Sequence, residues 1–192
     1  MIPLEILGAI ALSICLFALV MLHILPTGLP PLKSFVSTYA LTQYGKLYGI
    51  QAFSSGITAV ILTYIIVTQN ILHSSWGLIG LASYALSRLI IPFFVTDSQG
   101  NSTIHGKIHI VLAFISFYGI AVGITHIHFS DVPHDENMLI SLFSTVTVVS
   151  ALGLIFFNRL KPLKKFQGLI ERGIYLGALG WMGTSLVYLI WK

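Results

Sequence analysis

Apolar residues run along this chain in stretches of about twenty positions, separated by short polar or proline-bearing intervals. The stretches show neither the strict alternation of a half-buried strand nor the single apolar stripe of a soluble amphipathic helix. A helix rises 1.5 Å per residue, so a hydrocarbon layer about 30 Å thick takes roughly 20 residues to cross. By that ruler six spans are predicted: about Leu4 to Leu25, Leu47 to Thr68, Ser74 to Val95, Ile104 to Thr125, Met138 to Phe157 and Leu169 to Trp191. Lipid offers no hydrogen bonds to a bare backbone, so each span must satisfy its own amides as a helix. The expected fold is all-α: a polytopic membrane protein with a six-transmembrane-helix bundle, forming a single domain over residues 1–192.

The interruptions are readable. Pro26 to Pro31 includes three prolines, each lacking the donor a helix needs, so the first span stops there. Ser34 to Gly45 is semi-polar and carries Phe35, Tyr39 and Tyr44, which suits a short segment lying at the membrane interface. The remaining loops, Asn70 to His73, Thr96 to Thr103, Ile127 to Asn137 and Asn158 to Gly168, are short. Glu5 stands where a cleaved leader carries basic residues, and no small-x-small site precedes the prolines, so the first span is expected to be a permanent helix.

Composition strengthens this picture. Hydrophobic residues make up 56% of the chain and charged residues 8%, with mean hydropathy +0.91, too little charge to coat a water-soluble globule. Cys15, the single cysteine, lies in an apolar run and reads as a small buried hydrophobe. The ten Lys and Arg exceed the six Asp and Glu, yet four of the basic residues sit in one loop between spans, which points to lipid headgroups and away from nucleic acid. Membrane lipid is therefore the expected partner. Lys33, Lys46, Arg159, Lys161, Lys164 and Lys165 fall on the face of the first, third and fifth loops, and the positive-inside rule places that face in the cytoplasm.

Helices associate in lipid where small residues let backbones approach. Gly173, Gly177 and Gly180 of the sixth span, Ala52 and Gly56 of the second, and Gly77, Gly80, Ser83 and Ser87 of the third are expected packing seams.

Most candidate chemistry collects on the face of the first, third and fifth loops. His23 ends the first span there; Arg88 precedes Asp97 near the end of the third; His105, Lys107 and His109 open the fourth; Glu171 and Arg172 open the sixth. Ionisable groups at the edge of hydrocarbon are costly unless paired or hydrated, so they are expected to face the bundle interior. Arg88 is expected to pair with Asp97, Glu171 or a lipid phosphate, or to snorkel to the interface. Thr103 stands where it caps the fourth helix. His105 and His109, one turn apart, could share a zinc ion with Asp97 or His23 as third ligand, although the interval lacks the glutamate of the HExxH pattern. The bland alternative is that both histidines bond neighbouring helices or headgroups. On the opposite face, His126, His128, Asp131, His134, Asp135 and Glu136 read as a hydrophilic loop or, alternatively, a metal- or proton-sensing cluster. The basic run Arg159, Lys161, Lys164 and Lys165 reads as an interfacial anchor.

The stretch VTDSQGNSTIHGKIH resembles a pattern in the bacterial and archaeal membrane proteins grouped as domain of unknown function 998, matching at Thr96, Asp97, Gly100, Thr103, His105, Gly106 and His109. Ser37 with Tyr44 and Gly45, and Glu171 with Arg172, resemble two further segments of that family, so the likeness covers nearly the whole chain. Val95 replaces the usual proline, which should relax the turn before Asp97, and Thr38 stands where an acid is expected. The resemblance implies a prokaryotic cytoplasmic membrane and a motif face turned away from the cytoplasm, opposite to the reading from loop charges. It implies no reaction.

The residues together predict a lipid or amphipathic small molecule bound in a polar pocket lined by Arg88, Asp97, Thr103, His105, His109, Glu171 and Arg172. A rival reading is a metal-dependent membrane hydrolase or lipid-remodelling enzyme, with Asp97, His105 and His109 holding zinc and Ser37 or a metal-bound water attacking. A proton-coupled transporter and a scaffold subunit are the remaining alternatives.

Overall fold

The computed structural model of the protein describes residues 2–98, 100–129, 133–157 and 165–192. Among these, six helices are long and apolar enough to cross a membrane: α1 (Leu4–Ile24), α2 (Gly45–Thr68), α3 (Ser75–Ile90, prolonged by a 3₁₀ turn at Ile91–Phe93), α4 (Ile104–Thr125), α5 (His134–Phe157) and α6 (Gln167–Trp191). The chain is thus a multi-pass, all-α membrane protein. A two-residue antiparallel ribbon, β1 (Leu72–His73) with β2 (Ile127–His128), ties the turn after α2 to the end of α4.

Local chemistry explains most helix ends. α1 follows Pro3 and ends at Ile24, short of the proline-rich turn. The third helix loses its α-geometry at Ile90, earlier than the span expected to reach Val95, because Pro92 removes a donor from the last turn and the chain tightens to 3₁₀. α5 begins at His134 instead of Met138: Asp135 and Glu136 sit in its first turn, where acidic groups offset the exposed N–H groups. The two acids therefore belong to a helix and not to the expected loop.

Successive helices form the principal contacts, α1 with α2, α2 with α3, α3 with α4, and α5 with α6. α6 also touches α1, α2 and α4, and is the most buried helix, whereas α5 is the most peripheral. The small-residue seams lie where such contacts require them. A Cβ on Gly80 would come within 2.5 Å of the Gly123 nitrogen, and one on Gly56 within 2.9 Å of Leu89. Gly173, Gly177 and Gly180 face Ser150, Thr147 and Phe143 of α5. In lipid such close approach is how dispersion holds helices together. Gly119 and Gly123 supply the α4 half of the α3 seam, a contribution not anticipated from the sequence.

The connector before α2 is a 3₁₀ helix, Val36–Leu41. Val36 and Tyr39 are buried, because the start of α6 reaches across and holds the segment down.

Candidate functional site

Arg172, one turn into α6, makes that hold. Its Nη1 donates to the carbonyls of Pro31 (2.6 Å), Ser34 (2.8 Å) and Gly168 (2.9 Å), its Nη2 to the Tyr39 hydroxyl (3.1 Å), and its Nε to His23 Nε2 (2.7 Å). His23 Nδ1 lies 2.7 Å from the Leu19 carbonyl, which only accepts, so Nδ1 carries the proton and Nε2 offers its lone pair to the arginine. The neighbouring Glu171 is 2% exposed; its Oε2 accepts from the Val36 N–H, and no other hydrogen bond to the carboxylate occurs among the described residues. Together the pair anchors the connector, the acid at its first residue and the arginine at its carbonyls.

Arg88 faces the bundle interior, as expected of an ionisable group in such a span, but it pairs with neither Asp97 nor Glu171. It is 1% exposed, so it does not snorkel, and its hydrogen bonds go to neutral groups: Nε to Ser55 Oγ (3.0 Å), Nη1 to the Tyr175 hydroxyl (3.1 Å) and Nη2 to Gln51 Oε1 (2.7 Å). Its guanidinium also lies 5.3 Å from the centre of the Tyr175 ring. Arg88 ties α3 to α2 and α6, and it lines none of the cavities described below.

The Asp97 motif is a fastening. Thr103 donates to the carboxylate twice, from its backbone N–H to Oδ2 at 2.9 Å and from its hydroxyl to Oδ1 at 2.6 Å. The Thr103 oxygen in turn accepts from the Gly106 N–H at 3.1 Å, which is the expected N-cap. These bonds from Thr103 hold the Asp97 carboxyl below the usual carboxylate range. A Cβ on Gly106 would collide with the same carboxylate, and Gly100 turns the loop with φ +88°. Despite Val95 in place of proline, the turn is therefore pinned to α4.

A second pin lies one turn deeper. His109 Nδ1 is 2.7 Å from the Phe94 carbonyl, while Nε2 is buried and has no partner among the described residues. As at His23, the carbonyl fixes the proton on Nδ1, so Nε2 of the neutral ring is an uncommitted acceptor. His105 points elsewhere: it is exposed and packs on the Phe94 ring, centroids 5.5 Å apart. With Asp97 engaged by Thr103, the expected zinc set of Asp97, His105 and His109 does not assemble. Among the described residues no three His, Cys, Asp or Glu side chains form a metal-binding group.

His109 does line a cavity of about 310 Å³ between α4, the end of α5, the start of α6 and the connector. Ser37, Thr96 and Glu171 share its polar end, and Phe35, Ile110, Ala113, Phe114, Phe117 and Leu154 form apolar walls. Of the residues predicted to line a pocket, Glu171 and His109 reach this one, with Ser37 from the rival reading; Arg88, Asp97, Thr103, His105 and Arg172 do not. Thr96 is an addition whose side-chain role the motif alone did not reveal. A larger, lipid-facing groove of about 750 Å³ runs over α6 between α1 and α5, with His23 and Arg172 at one end of an otherwise mostly apolar surface.

On the opposite face His128 belongs to the ribbon and His134, Asp135 and Glu136 to α5, while Asp131 lies outside the described residues. Arg159, Lys161 and Lys164 of the basic run are likewise outside them. No curated protein and no solved structure matches the chain. Residues 9–188, nearly its whole length, match the family described as Protein of unknown function (DUF998), and the chain belongs to that family.

Proposed function

We propose that the protein binds an amphipathic small molecule, a membrane lipid in the simplest case, in the cavity between α4, α5 and α6. The observation that carries the reading is one cavity, at the end of the bundle where α4 and α6 begin, combining a buried imidazole nitrogen that has no partner among the described residues with an apolar wall. Its volume of about 310 Å³ falls at the lower end of ligand pockets, which run from roughly 300 to 1,000 Å³. A buried polar atom without a partner costs roughly 1–3 kcal/mol, and a ligand supplying a donor relieves that cost. Further support comes from the polar liners: Ser37, Thr96, His109 and Glu171 are all positions through which the sequence resembles its family.

The test is occlusion. Ala113→Phe places a ring in the cavity and leaves the polar end unaltered. Native mass spectrometry of the detergent-purified chain should show lipid adducts on the wild type and their loss in the variant. Equal retention by both proteins removes the cavity as the binding site.

A further inference from the structure

Hydroxyls inside these helices commonly donate to a carbonyl of the preceding turn, as those of Ser54, Thr58, Thr63, Ser144 and Thr184 do. Two hydroxyls at the polar end of the cavity are different: half-buried Ser37 and Thr96 make no side-chain hydrogen bond among the described residues. His109, which lines the same cavity, keeps a lone pair on Nε2, because the Phe94 carbonyl holds the ring proton on Nδ1. A hydroxyl, an accepting base nitrogen and a second hydroxyl are the parts of a nucleophilic acyl-transfer site: one attacks, one takes the proton, and one donates to the oxygen that becomes negative. The Phe94 carbonyl orients the imidazole as the third member of a catalytic triad orients its histidine, without the negative charge. Glu171 accepts from the Val36 N–H and so fixes the connector at the residue before Ser37. No hydrogen bond joins His109 Nε2 to Ser37 in the structure, and such contacts often tighten only around substrate.

We propose that this cavity hydrolyses carboxylic esters of long-chain acids, with Ser37 as nucleophile, His109 as general base and Thr96 as hydrogen-bond donor to the oxyanion. This rests on the cavity binding an amphipathic molecule, as proposed above, and makes that molecule a substrate. The acyl chain lies along Ile110, Phe114 and Phe117 and leaves the ester carbonyl at the polar end. Ser37 Oγ bonds to the carbonyl carbon as its proton passes to His109 Nε2, and the carbonyl oxygen takes the negative charge beside the Thr96 hydroxyl. When the oxyanion collapses, the bond from carbon to the alcohol oxygen breaks and the Nε2 proton leaves with the alcohol. Water, giving a proton to the same nitrogen, then attacks the acyl-serine; the proton returns to Ser37 and a carboxylic acid is released.

A hexadecyl fluorophosphonate, which phosphonylates activated serines with loss of fluoride, tests the assignment on the detergent-purified full chain. Peptide mapping should place one phosphonyl group on Ser37. His109→Gln still donates to the Phe94 carbonyl but takes up no proton, and should slow the labelling by about a hundredfold or more. Thr96→Val has nearly the same shape and removes a hydroxyl with no hydrogen bond to lose; it should slow labelling by about a hundredfold, and it serves if the histidine variant does not fold. Ala113→Phe should lose the label together with the lipid adducts. Lipid adducts that Ala113→Phe abolishes, with no label on Ser37 or with a label indifferent to both polar variants, overturn the catalytic assignment and leave the cavity as a binding site. Lipid adducts that Ala113→Phe leaves unchanged overturn the proposed function, and the hydrolytic assignment with it.

Discussion

The Nδ1 of His109 lies 2.7 Å from the carbonyl oxygen of Phe94, and that single bond decides the chemistry of the other ring nitrogen. A carbonyl has only lone pairs, so the proton resides on Nδ1 and Nε2 is left to accept. Nitrogen NMR on histidine-labelled protein should show His109 unprotonated at Nε2 in the ligand-free state. A proton on Nε2 at neutral pH, with Nδ1 bare, contradicts the assignment.

Thr103 caps α4 through the Gly106 N–H and at the same time holds Asp97. Thr103→Ala should lower stability by about 1 kcal/mol, within the 0.5–2 kcal/mol range of lost caps, while Thr103→Ser keeps the oxygen and most of the effect. Thermal unfolding in detergent distinguishes them; identical midpoints for the alanine and serine variants would show that the hydroxyl is idle.

The same motif carries a pH dependence of definite sign. Because Thr103 lowers the Asp97 pKa, the native loop favours the ionised carboxylate. The associated stability is fully present above the ordinary aspartate value of about 3.9 and drains away as pH falls below it, through the lower native value. Hydrogen exchange at the Thr103 and Gly106 amides should thus be steady between pH 7 and pH 5 after correction for intrinsic rates, and should lose protection only in stronger acid. Asp97→Asn should show no such acid-dependent loss.

Gln51 supplies the acceptor for Arg88 Nη2 at 2.7 Å in a fully buried setting. Gln51→Leu leaves that donor facing carbon and should destabilise the protein by about 1–3 kcal/mol, the cost of a buried group deprived of its partner. A denaturation midpoint equal to that of the wild type would mean that Arg88 finds another acceptor.

Two glycines in helices should respond oppositely to alanine. At Gly80 the added carbon meets the α4 backbone, and overpacking of this kind costs about 1–3 kcal/mol. At Gly49 the nearest atom is a Pro92 side-chain carbon 3.7 Å away, an ordinary contact, so Gly49→Ala should be neutral or stabilising by up to about 1 kcal/mol through helix propensity. Thermal shifts of opposite sign are expected; a tolerated Gly80→Ala would show that α3 and α4 are not in backbone contact.

Helix number and type were legible because a bilayer imposes one length on every span, whatever its neighbours. Ends depending on a proline within a turn, as at Pro92, or on acids starting a helix, as at Asp135, were misplaced by a few residues. The Asp97 and Thr103 fastening was half visible, since a cap is local in sequence. Arg88 was misread for the opposite reason: charge suggests a charged partner, whereas its actual partners, Gln51, Ser55 and Tyr175, come from two other helices and are unremarkable when seen alone. Likewise Ser37, His109 and Glu171 occupy three distant segments, and nothing in their spacing announces a shared cavity.

Arg172 binds the carbonyls of residues 141 and 138 positions earlier, at Pro31 and Ser34. A ribosome releasing this chain delivers the clasp long after the strap: the segment between the first two helices is made well before the side chain that latches it exists. A truncation before α6 would consequently leave its defect far upstream, in a strap with nothing to hold it.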